Sequence, residues 1–162
     1  MWDGQIKVIT GIRRAGKSTL LFDLFYNYLI DNGIYKENII TLQLDKRKDA
    51  KYRNPIVLAE FVEKQIRMHT EKFYLFIDEI QFCYSVPDPD NSGFVITIYD
   101  MLNELKDYKN LDVYVTGSNS KMLSSDILTE FRGRGDEIRI NPLSFSEFYA
   151  AFDGDKRDAW NE

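Results

Sequence analysis

Nine residues near the N-terminus constrain the fold of this chain more than any other feature. Residues 11–19 read GIRRAGKST, and they lie between a stretch rich in β-branched side chains, QIKVIT, and a segment without glycine or proline, STLLFDLFYNYLI. The apolar side chains that recur at helical spacing in that segment are Leu21, Leu24, Phe25 and Tyr28. This order predicts a strand at 5–10, a tight loop, and a helix at 17–31.

The loop has the spacing Gly11-x-x-x-x-Gly16-Lys17-Ser18. Glycine lets backbone N–H groups turn inward and approach phosphate oxygens, and the start of the following helix adds positive potential. A lysine supplies charge for the outer phosphates, and a hydroxyl reaches Mg²⁺. The alternative, a glycine-bearing turn on a basic surface, does not account for the flanking strand and helix. The residues predicted to form a phosphate-binding loop are Gly11, Ile12, Arg13, Arg14, Ala15, Gly16, Lys17, Ser18 and Thr19.

Composition narrows the class of protein. The 162 residues suffice for one domain with a sizeable core, and their net charge of −5 disfavours a surface built for nucleic acid or anionic membrane. We find no apolar run as long as a membrane span and no signal peptide, so we expect a cytoplasmic location. The single cysteine, Cys83, excludes an intrachain disulfide, and we expect its thiol to be inert.

Strand and helix patterns alternate along the chain. We predict strands at 5–10, 38–44, 72–77, 111–116 and 136–140, and helices at 17–31, 55–69, 94–108, around 119–131 and from about 144. A charged loop, DKRKDAKYRN, follows the second strand, and another loop extends through residue 93. Alternation of this kind predicts a three-layer α/β fold with a mostly parallel five-stranded sheet.

A pair of carboxylates ends the third predicted strand, KFYLFIDEIQ. The strand is apolar almost without alternation, as a strand covered on both faces should be. Asp78 and Glu79 therefore lie at the edge where open α/β sheets bind ligands. Beside a phosphate-binding loop, Asp78 would hold Mg²⁺ and Glu79 would polarise an attacking water. The pair favours water as the acceptor, and because no Asn-Lys-x-Asp motif for guanine is present, ATP is favoured over GTP.

Two further segments contain candidate catalytic groups. In DVYVTGSNSKMLSS, Asn119 or Ser118 could hydrogen-bond the γ-phosphate or its attacking water, or could cap the next helix, and both roles are compatible. In FRGRGDEI, Arg132 and Arg134 are candidates for stabilising charge on a transferring phosphate, and we favour Arg134 because a glycine lies on either side. The alternative is a surface arginine paired with Asp136 or Glu137.

Taken together, GIRRAGKST, LFIDEIQ, VYVTGSNSKMLS, FRGRGDEI and NPLSFSEF resemble, in that order, the prokaryotic AAA-type P-loop ATPases that carry a C-terminal domain of unclear role. The resemblance covers most of residues 5–149. It implies a P-loop NTPase fold of the additional-strand type, in which the magnesium strand is not adjacent in sequence to the phosphate-loop strand. It also implies the following roles: Lys17 and Ser18 on phosphate and metal, Asp78 and Glu79 on Mg²⁺ and water, Asn119 as sensor and Arg134 as arginine finger.

We expect residues 1–162 to form a single P-loop ATPase domain, and because both ends look cut, we expect it to be one module of a longer protein. The resemblance suggests a homo-oligomer of that full-length protein. Its expected function is to hydrolyse Mg-ATP to ADP and so move an attached domain or protein partner. The alternative is a nucleotide-dependent switch or scaffold with negligible turnover. A nucleic-acid motor is a third reading, and the acidic charge does not support it.

Overall fold

The computed structural model describes residues 4–117 and 135–151. Its main sheet has five strands, all parallel, in the order β2-β3-β6-β1-β7. These strands are β1 (Ile6–Thr10), β2 (Ile39–Gln43), β3 (Phe73–Asp78), β6 (Leu111–Thr116) and β7 (Gly135–Arg139). The prediction of a mostly parallel five-stranded sheet is confirmed. The structure adds that β6 lies in space between β1 and β3.

Helices cover both faces of this sheet. One helical run consists of α1 (Lys17–Thr19), a π-helical stretch (Leu20–Phe25) and α2 (Tyr26–Asp31). The other α-helices of the described residues are α3 (Pro55–Ile66), α4 (Ile98–Leu105) and α5 (Phe145–Ala151). In the described ranges, no helix is both long and apolar enough to cross a membrane.

The core is divided into two clusters by the sheet, because successive side chains of a strand point to opposite faces. In β3, Leu75 and Ile77 pack with α3 and α4, whereas Tyr74 and Phe76 pack with the helical run that follows β1. All six residues of β3 are buried, as its unbroken apolar sequence predicts. The structure thus has three layers, and Asp78 points to the face covered by α1.

The segment predicted as a charged loop is instead largely a 3₁₀-helix, Arg47–Arg53. Two of its side chains are buried. Asp49 accepts a hydrogen bond from the backbone N–H of Gln43 at 2.9 Å, and the ring of Tyr52 lies 4.6 Å from that of Phe61. The prediction was wrong because the buried contacts of Asp49 and Tyr52, rather than the many charges around them, determine the backbone conformation of this segment.

The helix predicted over 94–108 begins later, at Ile98. Thr97 caps it: the Thr97 hydroxyl accepts the N–H of Asp100 at 3.3 Å, and the Asp100 carboxylate accepts the N–H of Thr97 at 3.0 Å. Val95 consequently lies outside the helix, in the two-residue strand β5 (Val95–Ile96), which pairs with β4 (Val86–Pro87). The loop predicted through residue 93 therefore includes one strand of a small hairpin.

Cys83 follows the short 3₁₀ turn Ile80–Phe82 and packs against the cluster beneath α3 and α4. Burial raises the pKa of its thiol from 9.0 to about 12, although the nearby Arg53 guanidinium acts in the opposite direction. The raised pKa means that the neutral thiol persists as pH rises, and only the thiolate reacts with alkylating agents.

We therefore expect iodoacetamide to label Cys83 very slowly at pH 8 in the folded protein. A pKa higher by three units lowers the thiolate fraction by about 10³. Mass spectrometry should find rapid labelling of the same cysteine in urea. Equal labelling rates in the folded and unfolded chain would contradict the burial described for Cys83.

Candidate functional site

The predicted phosphate-binding loop connects β1 directly to α1. It turns tightly, with the N–H of Ala15 donating to the carbonyl of Ile12 at 3.2 Å, and the N–H of Leu20 donating to the carbonyl of Gly16 at 2.8 Å where the helix begins. Gly11 has φ 148°, and a Cβ atom placed on it would collide with the carbonyl oxygen of Ile140. Only glycine therefore fits where the loop passes the end of β7.

Two strained backbone conformations occur in or beside this loop. Among the described residues, Arg14 (φ 67°) and Glu79 (φ 56°) are the two non-glycine residues with positive φ. Both line a cavity of about 200 Å³, together with Gly16, Lys17, Ser18 and Thr19. Left-handed backbone at non-glycine residues persists where surrounding structure holds it, and such residues cluster at ligand sites. The cavity is therefore the strongest structural candidate for a binding site.

Lys17 is nearly fully buried, with 5% of its surface exposed. Its Nζ donates to the carbonyl oxygens of Gly11 at 3.0 Å and Ile12 at 2.9 Å, so the side chain folds back over the loop. These acceptors are neutral, and in the described ranges no carboxylate forms an ion pair with this ammonium group. A buried cation without a carboxylate partner is suited to an anionic ligand.

Asp78 is the last residue of β3 and is buried. The Ser18 hydroxyl lies 2.9 Å from its Oδ2 and 3.1 Å from its Oδ1. The Thr116 hydroxyl, at the end of β6, also donates to Oδ1. The structure thus brings together Ser18 and Asp78, the two residues predicted from sequence to hold a metal, although 60 residues separate them.

Glu79 follows at once and is half-buried. Its backbone N–H donates to the Thr116 hydroxyl at 3.2 Å, and its carboxylate accepts a hydrogen bond from the side-chain amide of Gln81. Glu79 also lines a second cavity, of about 410 Å³, with Arg13, Asp45, Gln81 and Phe82. Glu79 therefore lies between the two cavities and lines both of them.

The donor atoms fit a magnesium ion. Ser18 and Asp78 offer hydroxyl and carboxylate oxygens, the hard ligands that Mg²⁺ takes. Mg²⁺ usually binds one or two protein side chains and fills its remaining positions with water and phosphate oxygens. In the described ranges there is no group of three or more His, Cys, Asp or Glu side chains that could hold a metal alone. A metal here would thus be shared with a phosphate ligand.

The remaining predicted residues divide into three sets. Arg14, Gly16, Lys17, Ser18 and Thr19 line the smaller cavity, and Arg13 lines the larger one. Gly11, Ile12 and Ala15 form the loop's backbone, and the Ile12 side chain is exposed. Ser118, Asn119, Arg132 and Arg134 lie outside the described residues, so their predicted roles stay predictions.

Two site residues were missed by sequence reasoning, Thr116 and Gln81. Gln81 lies in the quoted strand end, LFIDEIQ, two residues after Glu79, and its proximity to the carboxylate was a usable signal. The sequence contains no such signal for Thr116, because the role of Thr116 depends on which strand lies beside β3.

The strand order, the loop after β1 and the carboxylate pair at the end of β3 define a P-loop NTPase fold in which one strand separates β1 from β3. A family model described as an AAA domain matches residues 3–149. An uncharacterized protein of Haemophilus influenzae is 36% identical over 146 residues, which cover 90% of this chain and 33% of that protein. Another, of Methanocaldococcus jannaschii, is 34% identical over 148 residues, or 89% of this chain and 28% of that protein.

The structure of C. elegans PCH-2 superposes with a TM-score of 0.63 at 12% identity, over 91% of this chain and 37% of that one, which shows a shared fold. The chain belongs to the AAA domain family, and its architecture is that of an AAA-type P-loop ATPase. It spans about a third or less of the length of the two curated relatives.

The close approach at Gly11 gives a stability prediction. Gly11→Ala should destabilise the fold by more than about 2 kcal/mol. The new methyl group would collide with the backbone of Ile140, and the alanine would have to adopt a strained φ. Gly33→Ala is the matched control, since Gly33 has φ 85° with no heavy atom near its missing Cβ, and it should cost about 1 kcal/mol. Urea denaturation measures both, and equal losses would contradict the described contact with Ile140.

Proposed function

We propose that this domain binds ATP with Mg²⁺ and hydrolyses it to ADP and phosphate. One observation carries the proposal: Lys17, Ser18 and Glu79 line one cavity, and Ser18 is hydrogen-bonded to Asp78 at its edge. A cation, a hydroxyl and two carboxylates are the groups that nucleotide hydrolysis requires together. Membership of the AAA domain family supports nucleotide binding in general.

Binding begins with the loop. Its backbone N–H groups and the first turn of α1 face the phosphates, and Lys17 exchanges its carbonyl contacts with Gly11 and Ile12 for the outer phosphate oxygens. Ile12 is exposed, so its carbonyl can return to water, whereas Gly11 is buried. Lys17 adds little desolvation cost to the exchange because it is already buried in the free protein.

Ser18 and Asp78 would hold Mg²⁺, which when bound neutralises phosphate charge and fixes the phosphate oxygens. The Ser18 hydroxyl donates its proton to Asp78, which leaves the lone pairs of its oxygen available for the ion. Asp78 keeps the hydrogen bond from Thr116 meanwhile, so its carboxylate does not have to be reoriented.

Glu79 is the general base in this proposal. Its carboxylate takes a proton from the attacking water as the water oxygen bonds to the γ-phosphorus and the bond to the ADP oxygen breaks. The proton then passes to the released phosphate or to solvent. The half-buried position of Glu79 on the wall of the loop cavity supports this role.

Two further roles belong to the same proposal. Asn119 or Ser118 would contact the γ-phosphate or its water, and Arg134 would stabilise transition-state charge, either within its own chain or across a contact between copies in a full-length homo-oligomer. Turnover would be coupled to movement of an attached domain or a protein partner.

A second candidate function is a nucleotide-dependent switch with negligible turnover. One contact favours it: the Gln81 amide donates to the Glu79 carboxylate and so competes with water for one of its oxygens. Phosphate release separates the two functions, because a switch releases no more phosphate than a Lys17→Met variant, which keeps the side-chain length and lacks the charge.

We predict that Glu79→Gln retains Mg-ATP binding and lowers the hydrolysis rate by about 10² or more, a common contribution of a general base. The substitution preserves shape and removes the basic oxygen. Glu60→Gln makes the same chemical change on the exposed face of α3 and should leave the rate unchanged. A coupled assay of phosphate release measures all three proteins. Parent-level hydrolysis by Glu79→Gln would assign water activation to another residue.

A further inference from the structure

The Thr116 side chain occupies a position that links the two carboxylate residues. Thr116 is the last residue of β6 and is fully buried, with 0% of its surface exposed. The parallel register pairs Ile77 of β3 with Val115 of β6, so the next residues, Asp78 and Thr116, lie side by side where both strands end. Thr116 shares the face of the sheet that α1 covers.

The Thr116 hydroxyl uses both of its hydrogen-bonding capacities here. It donates its proton to Oδ1 of Asp78, and it accepts the backbone N–H of Glu79 at 3.2 Å. Glu79 has a left-handed backbone, with φ 56°, immediately after the strand. One hydroxyl therefore contacts the side chain of one carboxylate residue and the strained backbone of the other.

These two hydrogen bonds orient the Asp78 carboxylate and the Glu79 backbone, a role that space-filling alone would not give Thr116. A valine has nearly the same volume and suits a strand equally well, so packing alone does not require the hydroxyl. The hydrogen bond that Thr116 donates to Oδ1 fixes the rotation of the Asp78 carboxylate, while the Ser18 hydroxyl approaches the carboxylate from α1. The bond to the Glu79 N–H holds the turn that places the Glu79 side chain against the loop cavity.

We propose that Thr116 is a positioning residue for the magnesium carboxylate Asp78 and, through its backbone, for the base Glu79. The inference rests on the proposed function, since it assumes that Asp78 holds Mg²⁺. Thr116 touches neither phosphate nor water in this role and acts only through its two neighbours. Partners that orient a metal ligand typically contribute 10- to 100-fold to metal affinity or activity, about the effect expected here.

The test compares Thr116→Val with Thr116→Ser, which keeps the hydroxyl and loses only the methyl group. A fluorescent ATP analogue is titrated with Mg²⁺ and, separately, in EDTA. Thr116→Val should raise the Mg²⁺ concentration for half-maximal binding by about 10-fold or more and lower kcat by a similar factor. Affinity in EDTA should stay at the parent value, and Thr116→Ser should restore the Mg²⁺ dependence.

A double-mutant cycle distinguishes positioning from a general structural role. If Thr116 acts through Asp78, adding Thr116→Val to Asp78→Asn should change the Mg²⁺ dependence by less than about twofold, because the carboxylate to be oriented is already absent. A general loss of structure would weaken binding in both backgrounds and in EDTA. Thr116→Ala removes the same hydroxyl without placing a methyl group against Asp78, and it repeats the test if the valine variant does not fold.

Two results would overturn the inference, and they differ. If the parent protein binds nucleotide with a clear Mg²⁺ dependence and Thr116→Val matches it, the positioning role fails while the proposed function stands. If the parent protein shows no Mg²⁺-dependent nucleotide binding, the proposed function fails, and the role of Thr116 fails with it.

Discussion

Strand β6 is the element on which the candidate site depends. It is hydrogen-bonded on one side to β1, which leads into the loop at residues 11–16, and on the other to β3, which ends at the carboxylates. Because all three strands are parallel, their carboxyl ends meet at one edge. Displacing β6 would separate Ser18 from Asp78, and every role proposed for the site requires their proximity.

Several polar groups at this edge are hydrogen-bonded to one another in the free protein. Lys17 binds loop carbonyls, Ser18 and Thr116 donate to Asp78, and Gln81 donates to Glu79. Buried polar groups are costly when unpaired, so such pairing lets the site fold before any ligand arrives. A ligand then exchanges existing hydrogen bonds for new ones instead of ordering a collapsed loop.

Much of this arrangement follows from local sequence. The apolar run of β3 predicts a buried strand, and the spacing of Gly11, Gly16 and Lys17 predicts the loop, because both signals lie within a few neighbouring residues. The 3₁₀-helix at Arg47–Arg53 and the role of Thr116 were not predictable in the same way. The role of Thr116 depends on β3, 38 residues away, and one sequence does not state which strands are neighbours. The 3₁₀-helix depends on nearer contacts, of Asp49 with Gln43 and of Tyr52 with Phe61, which the many charges of the segment conceal.

The central claim is that the edge of the sheet at Lys17 and Asp78 is a Mg-nucleotide site. Isothermal titration of the chain with a non-hydrolysable ATP analogue, in Mg²⁺ and again in EDTA, tests it most directly. The account predicts saturable binding of one nucleotide per chain, weakened when Mg²⁺ is removed and lost in Lys17→Met. Absence of binding at millimolar analogue, or identical binding by the parent and Lys17→Met, would contradict it.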